Sequence, residues 1–261
     1  MKGRVLTIAG SDPSGGAGIQ ADIKAVTALG GYAASAVTAL TVQNTTGVSR
    51  VDPVSADLLR AQIDAVLSDI GADAVKIGLL PNTAAVEVVA SALRHLDVPI
   101  VLDPVLVATS GDALTLSDIT ACLKEKLIPL SFVVTPNTDE AAALTGLSVK
   151  SARDLTLAGR ALLAQGCGAA LVKGGHLSGQ HVVNSLVTPT GEHVLERVRI
   201  ETAATHGTGC TLAAALATGL AQGLSLLAAA MRATDYVHAA ISDAPGLGAG
   251  AGPLNHAIFD F

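Results

Sequence analysis

Residues 204–213 read Ala-Thr-His-Gly-Thr-Gly-Cys-Thr-Leu-Ala, and an apolar, alanine-rich run follows them. The pattern predicts a glycine-rich loop that opens a helix, with Gly207, Thr208 and Gly209 at the junction. Glycines there let backbone N–H groups converge on an anion, and a helix N-terminus adds about half a positive charge. We therefore expect an anion-binding cradle at this point of the fold.

Cys210 lies in the first turn of the same predicted helix. The field of a helix N-terminus lowers the pKa of a thiol, so we expect some thiolate near neutral pH. An anion cradle with a base inside it suits phosphoryl transfer to an alcohol. The motif alone leaves open an ordinary glycine-rich loop beside a buried, inert cysteine.

The rest of the chain alternates strand-like and helix-like segments. Short apolar runs predict buried parallel strands at 4–9, 74–77, 100–102, 132–135 and 169–172. Amphipathic segments predict helices at 19–29, 56–67, 83–96, 116–127, 139–144 and 152–165. This rhythm predicts an α/β fold, one domain over residues 1–261, with a doubly wound, mostly parallel sheet and helices on both faces.

Two regions depart from this rhythm. Residues 33–42 with 47–51 predict extra strands near the first crossover. Residues 182–188 and 193–200, separated by a Thr-Gly turn signal, predict a small accessory β-hairpin.

Composition excludes several classes of function. The 261 residues are 50% hydrophobic and 15% charged, which is ample material for a core. A net charge of −6 without a basic run argues against a nucleic-acid partner. The three cysteines are far apart, so neither a zinc site nor a disulfide framework is predicted.

One apolar stretch, residues 212–231, is long enough to span a bilayer. It contains Gly219 and then Gln222, Gly223 and Ser225, which predict a helix end followed by a new N-cap. Two buried helices therefore explain it better than a membrane span. The N-terminus lacks a long apolar signal region, so we expect a cytoplasmic protein.

Polar residues follow the predicted strands at their carboxyl ends. Asp12, Asp103, Asn137 and Lys173 each come at or just after a strand. In open α/β sheets the ligand lies at this edge, so we expect these side chains to share one site. The Lys173 ammonium needs either a phosphate or a carboxylate partner there. Asn137 also suits a helix N-cap, with Glu140 completing a capping box.

Five segments occur in order along the chain: TIAGSDPSGGAGIQAD (7–22), VQNT (42–45), TPNTDEA (135–141), VKGGH (172–176) and HGTGC (206–210). Together they resemble the hydroxymethylpyrimidine/phosphomethylpyrimidine kinases of thiamine biosynthesis, a branch of the ribokinase-like superfamily. The resemblance covers nearly the whole chain. It implies a ribokinase-like fold, two successive phosphorylations of an aminopyrimidine, ATP and Mg²⁺ as cofactors, and a homodimer.

The resemblance also implies roles for individual residues. Cys210, Gly209, Gly207 and Lys173 become the catalytic set. Asp103 helps to hold Mg²⁺, together with Glu140 of the PNxxE element. The implied nucleotide-binding residues are Asn137, Glu140, Lys173, Thr208 and Thr211.

The substrate side rests on the resemblance and on the chemistry of one amide. Gln43 carries a donor and an acceptor on one planar group, which complements an aminopyrimidine edge, and it matches the glutamine that reads this edge in the family. The implied pocket also contains Gly10, Asp12, Asp22 and Leu79. Asp12 equally suits a turn. Leu79 replaces a common methionine at similar volume, and Thr109 replaces a common lysine.

Two alternatives remain open. A pyridoxal kinase would also phosphorylate a hydroxymethyl group on a six-membered nitrogen heterocycle. Gln43 and Cys210 favour the pyrimidine, because many pyridoxal kinases carry Asp at the position of Cys210. A non-catalytic pyrimidine-binding protein on the same fold is the other alternative, and it would be indicated by loss of the cradle or of Lys173, neither of which is lost.

Overall fold

The computed structural model describes residues 1–106, 112 and 114–258. Within them the chain forms one nine-stranded sheet. Its strands are β1 (Arg4–Ser11), β2 (Tyr32–Asn44), β3 (Gly47–Pro53), β4 (Ala74–Ile77), β5 (Ile100–Leu102), β6 (Val133–Val134), β7 (Ala170–Lys173), β8 (His181–Thr188) and β9 (Gly191–Val198). Thr109 lies outside the described residues.

The helices alternate with these strands along most of the chain. They are α1 (Gly18–Ala28), α2 (Ala56–Asp69), α3 (Thr83–Leu93), α4 (Thr120–Cys122), α5 (Thr138–Thr145), α6 (Ala152–Leu163), α7 (Thr208–Ala221) and α8 (Leu226–Ser242). A π-helical turn, Leu123–Leu127, and a 3-10 turn, Ile128–Leu130, continue α4.

The strand order is β3-β2-β1-β4-β5-β6-β7-β8-β9. The six neighbouring strands β2, β1, β4, β5, β6 and β7 run parallel. The doubly wound, mostly parallel sheet is therefore confirmed. Both sets of additional strands are also present. β3 pairs antiparallel with β2, and the β8–β9 hairpin extends the same sheet at its other edge rather than standing apart from it.

Helices cover both faces because successive strand side chains point to opposite sides. Leu6 and Ile8 of β1 pack in a core with residues of α2, α3, α5 and α6. Val5 packs on the other face with residues of α1, α7 and α8. The sheet therefore separates two apolar layers, and α7 lies against its middle strands.

The apolar stretch 212–231 divides as the sequence predicts. Helix α7 ends at Ala221, Gly223 has φ +83°, and the Ser225 hydroxyl accepts a hydrogen bond from the Ala228 N–H at the start of α8. Over the described ranges, none of the helices combines the length and apolarity needed to cross a membrane.

The predicted helix at 116–127 is wrong in its bounds and regularity. Asp118 accepts a hydrogen bond from the Thr120 N–H, and the helix begins only at Thr120. Pro129 lacks the N–H that a regular continuation needs, and the segment ends in a 3-10 turn.

Candidate active site

A cavity of about 800 Å³ opens at the carboxyl ends of the central strands. The loops after β1, β5 and β7 and the starts of α5 and α7 form much of its wall. Most of the predicted site residues line it: Gly10, Asp12, Gln43, Leu79, Asp103, Asn137, Glu140, Lys173, Gly207, Thr208, Gly209 and Cys210. The structure thus brings residues from β1, β2, β7, α5 and α7, and from the loops after β4 and β5, to one place.

The cradle forms at the start of α7, as predicted. Gly207 is its N-cap in the left-handed region, with φ +80°. A Cβ atom there would lie 1.8 Å from the Gly16 carbonyl oxygen, so both the conformation and the packing require glycine. Thr208, Gly209 and Cys210 follow in the first turn, where N–H groups have no partner inside a helix. These N–H groups are the expected anion donors.

Lys173 and Asp103 meet directly over this turn. The Lys173 Nζ donates to the Asp103 Oδ1 at 2.7 Å, and the Thr135 hydroxyl donates to the same oxygen at 3.0 Å. Burial by itself lowers the pKa of Lys173, but Asp103 and Glu140 outweigh it and raise that pKa. Lys173 therefore stays protonated, and its predicted ion pair is present beside the cradle.

Asn137 and Glu140 form the predicted capping box at the start of α5. The Asn137 Oδ1 accepts from the N–H groups of Asp139 and Glu140, both at 2.9 Å, and the Glu140 carboxylate accepts from the Asn137 N–H at 2.7 Å. Burial raises the pKa of Glu140 to about 7, although Lys173 opposes the shift. The cap role is confirmed, and both side chains still line the cavity.

Cys210 corrects one expectation from the sequence. Its side chain is half-buried at the cavity wall. Burial raises the pKa of the thiol to about 11, while Lys76 opposes this and Asp22 adds to it. The expected lowering of the pKa is therefore wrong for the ligand-free protein, because loss of hydration costs the thiolate more than its positive surroundings return.

Asp12 holds the loop between β1 and α1. Its carboxylate accepts from the N–H groups of Ser14 and Ala17, both at 2.8 Å, and contacts the His206 Nε2 at 2.8 Å. Burial alone raises the pKa of Asp12, but these hydrogen bonds outweigh it and lower the pKa to about 2. The turn role is confirmed. His206 was missed, although it heads the very motif that supplied the cradle.

The proposed pyrimidine wall is made by β2 and two close neighbours. The Gln43 Oε1 accepts from the Thr41 hydroxyl at 3.2 Å at the end of β2. A Cβ atom on Gly10 would lie 2.7 Å from the Leu79 Cδ2. The absence of a side chain at Gly10 therefore leaves room for Leu79 in the cavity wall. The wall thus combines one amide with an aliphatic surface.

Asp22 and Thr211 are not among the residues that line the cavity. The Asp22 carboxylate is fully buried and pairs with Lys76 at 2.8 Å. The Thr211 hydroxyl donates to the Gly207 carbonyl at 2.8 Å and contacts the His256 Nε2 at 2.9 Å. Both side chains point into packed layers, because their helix positions face the protein interior. Lys76 was missed, although it is a charge inside the apolar strand β4.

The opposite wall of the cavity was also missed. It is aliphatic and comes from the β8–β9 hairpin, the segment after it, and α8: Val182, Val198, Ile200, Val237 and Ile241. The Asn184 amide oxygen accepts from the Gly174 N–H at 3.1 Å and fixes the turn after Lys173. These residues belong to distant segments, and no local motif marks them.

Comparison with known proteins places this geometry in a family. The sequence profile of the phosphomethylpyrimidine kinase family matches residues 12–255. A hydroxymethylpyrimidine/phosphomethylpyrimidine kinase of Rhizobium meliloti is 48% identical over 259 residues, which cover 98% of this chain and 97% of that protein.

Solved structures agree in fold. The ADP complex of Bacillus subtilis pyridoxal kinase superposes with a TM-score of 0.90 at 34% identity, covering 99% of this chain and 98% of that chain. A phosphomethylpyrimidine kinase from Clostridium difficile 630 superposes with a TM-score of 0.81 at 37% identity, covering 92% and 100%. The ribokinase-like architecture is thus confirmed, and the chain belongs to the phosphomethylpyrimidine kinase family.

Proposed function

We propose that this protein transfers the γ-phosphoryl group of ATP to the hydroxymethyl group of 4-amino-5-hydroxymethyl-2-methylpyrimidine. It then phosphorylates the resulting monophosphate to the diphosphate, as a step of thiamine biosynthesis. The observation that carries the proposal is the meeting of Lys173, Asp103 and the first turn of α7 at the cavity floor. A cation and the N–H groups of a helix N-terminus at one point suit a phosphoryl group whose charge is spread over its oxygens.

The nucleotide would lie between this point and the aliphatic wall of the hairpin and α8. Lys173 and Thr208 would contact its phosphates, with Asn137 and Glu140 nearby. Apolar side chains there provide packing for a purine, and aromatic residues are only 2% of the chain.

Mg²⁺ fits the donors at the cavity floor. Asp103 and Glu140 supply carboxylates beside Lys173, and the described residues hold no cluster of three or more ligating side chains. Mg²⁺ usually takes one or two carboxylates and completes its shell with water and substrate phosphates. When bound, it would neutralise phosphate charge.

The pyrimidine would lie against Gln43, Leu79 and Gly10. The Gln43 amide would pair with the amino group and the adjacent ring nitrogen. Its hydroxymethyl group would then point to the cradle, where the thiolate form of Cys210 would accept the hydroxyl proton as the oxygen attacks phosphorus. The monophosphate is already mostly dianionic at neutral pH and needs no such base.

Pyridoxal phosphorylation is the second candidate, favoured by the similarity in fold to a pyridoxal kinase. A non-catalytic pyrimidine-binding role is disfavoured because the cradle and Lys173 are both intact. We further propose that the protein is a cytoplasmic homodimer without nucleic-acid or membrane partners. Light scattering of the purified protein tests the oligomeric state.

A coupled ADP-release assay with hydroxymethylpyrimidine and pyridoxal, side by side, tests the assignment. We expect a larger kcat/KM for the pyrimidine, and product mass should show both the monophosphate and the diphosphate. A larger kcat/KM for pyridoxal would reverse the assignment. Absence of ADP release with both substrates would support the binding protein.

A further inference from the structure

A fully buried ion pair lies beneath the cradle, in the layer between the sheet and α1. The Lys76 Nζ donates to both carboxylate oxygens of Asp22, at 2.9 and 2.8 Å. The Thr7 hydroxyl of β1 donates to the same carboxylate. Both charged side chains are 0% exposed, which no other ion pair of the described ranges matches.

Stability alone does not explain this pair. Withdrawing two charges from water costs about as much as their attraction returns, and apolar residues of similar volume often serve as well. We therefore expect the charges of this pair to have a function besides stabilising the fold. Burial by itself lowers the pKa of Lys76, but Asp22, together with Cys210 and Asp103, outweighs burial and raises that pKa, so the lysine carries a positive charge.

Lys76 lies directly under the floor of the cavity. A Cβ atom on Gly78, the residue before Leu79 of the cavity wall, would lie 2.7 Å from the Lys76 Nζ. Yet Lys76 is fully buried and is not among the residues that line the cavity. It therefore cannot contact substrate or nucleotide, and any effect on the reaction must pass through a neighbour.

Cys210 is that neighbour. It lies in the first turn of α7, a helix that packs against both β4 and α1, and the Gly18 N–H at the start of α1 donates a hydrogen bond to its sulfur. On this interior side the sulfur interacts electrostatically with Lys76 of β4 and Asp22 of α1. Asp103 at the end of β5 and Lys173 at the end of β7 act on it from the cavity side. The latter two are paired at 2.7 Å, and Lys173 is the group that a phosphate would engage.

We propose that Lys76 is a positioning residue for the reaction: held by Asp22 and Thr7, its ammonium is the buried counter-charge that opposes the cost of burying the Cys210 thiolate and so favours the form that accepts the substrate's proton. The inference rests on the proposed function, in which Cys210 is the base. In that step the substrate oxygen forms its bond to the γ-phosphorus and the bond from phosphorus to the leaving ADP oxygen breaks. The hydroxyl proton passes to the sulfur.

The two partners act on the sulfur with opposite signs, which makes the proposal testable. Loss of the cation in Lys76→Met should make the thiol harder to ionise, and loss of the anion in Asp22→Asn should make it easier. A pair that only supports the fold would give two destabilised variants without opposite effects on the thiol. Melting temperature, measured in parallel, records the structural contribution.

The measurement is alkylation of the ligand-free, full-length protein by iodoacetamide as a function of pH. Peptide mass spectrometry reads the modification at residue 210 alone, apart from Cys122 and Cys167. The thiolate is the reactive form, and one pKa unit changes its fraction about tenfold below the pKa. At a fixed pH we expect about tenfold slower alkylation in Lys76→Met and about tenfold faster alkylation in Asp22→Asn.

The double variant Asp22→Asn/Lys76→Met carries the test if Lys76→Met does not fold, since it leaves no unpaired buried charge. It should alkylate more slowly than Asp22→Asn. Unchanged rates, or rates that move in the same direction in both single variants, would overturn the proposal.

Turnover separates this inference from the proposed function. In the double variant we expect phosphorylation of hydroxymethylpyrimidine to fall about tenfold or more relative to phosphorylation of its monophosphate. An equal change in both reactions, with alkylation shifted as expected, would overturn the link from Lys76 to catalysis. Failure of the wild-type protein to phosphorylate the pyrimidine would instead refute the proposed function, whatever the alkylation rates show.

Discussion

A Cβ atom on Gly209 would lie 2.9 Å from the Nζ of Lys173. The ammonium therefore rests almost on the backbone of the α7 N-terminus, with the Asp103 carboxylate beside it. Positive charge and helix N–H groups converge here without an intervening side chain. This contact defines where a transferring phosphoryl group would be stabilised.

Lys173→Met should reduce turnover with MgATP far more than it reduces pyrimidine affinity. The charge is expected to meet the phosphoryl group most strongly in the transition state, and losing one such contact costs ~10²–10³ in kcat. Steady-state kinetics and pyrimidine calorimetry on the same preparation check this. Equal losses in turnover and affinity, with a large fall in melting temperature, would show that the Asp103 pair is mainly structural.

Gln43→Leu should weaken pyrimidine binding and leave ATP binding near normal. Leucine has similar size but cannot pair with the aminopyrimidine edge, and lost hydrogen bonds to a buried polar edge cost roughly 1–3 kcal/mol, or about ten- to a hundredfold. Calorimetry with each ligand measures the difference. Asn44→Leu, an exposed neighbour that does not line the cavity, is the matched control. Unchanged affinity in Gln43→Leu would move the pyrimidine elsewhere.

Cys210→Ala should impair phosphorylation of the hydroxymethylpyrimidine and largely spare phosphorylation of its monophosphate. The alcohol must lose a proton, and a general base contributes ~10²–10⁴ in rate, whereas the phosphate dianion needs none. Single-turnover rates with each substrate test the difference.

Gly209→Val is the contrasting variant for that experiment. Its side chain would fill the space in front of Lys173 and depress both reactions together. If Cys210→Ala also lowers both rates equally, the cysteine serves the shape of the loop and is not the base.

Asp12→Asn should destabilise the protein in a pH-dependent way. The pKa of Asp12 falls from 3.8 to about 2 in the folded protein, so its ionised form contributes stability above pH ~4 that is lost as the pH falls toward 2. The shift corresponds to about 2 kcal/mol. Urea unfolding at about pH 5 and pH 2 should show this difference at the higher pH and its disappearance at the lower. Asp69→Asn, at an exposed carboxylate, is the matched control for the substitution itself.

The sequence by itself determined the order of strands and helices and the place of the cradle. Apolar strands such as Ala74–Ile77 and helix-ending glycines such as Gly223 depend on only a few neighbouring residues, so the local sequence predicts them. The helix start at Gly207 and Gly209 could be predicted for the same reason, because its glycines lie close together in the sequence and suit an anion site. The capping box of Asn137 and Glu140 is equally local.

Only the tertiary structure decided the electrostatics and the far wall of the site. Asp22 was expected at the pyrimidine, but strand alternation turns Lys76 toward α1 and buries both. Cys210 was expected to ionise readily, but desolvation depends on what packs around the sulfur and outweighs the local field of the helix. Burial and charge pairing depend on contacts between residues that are far apart in the chain, so a local sequence pattern does not predict them.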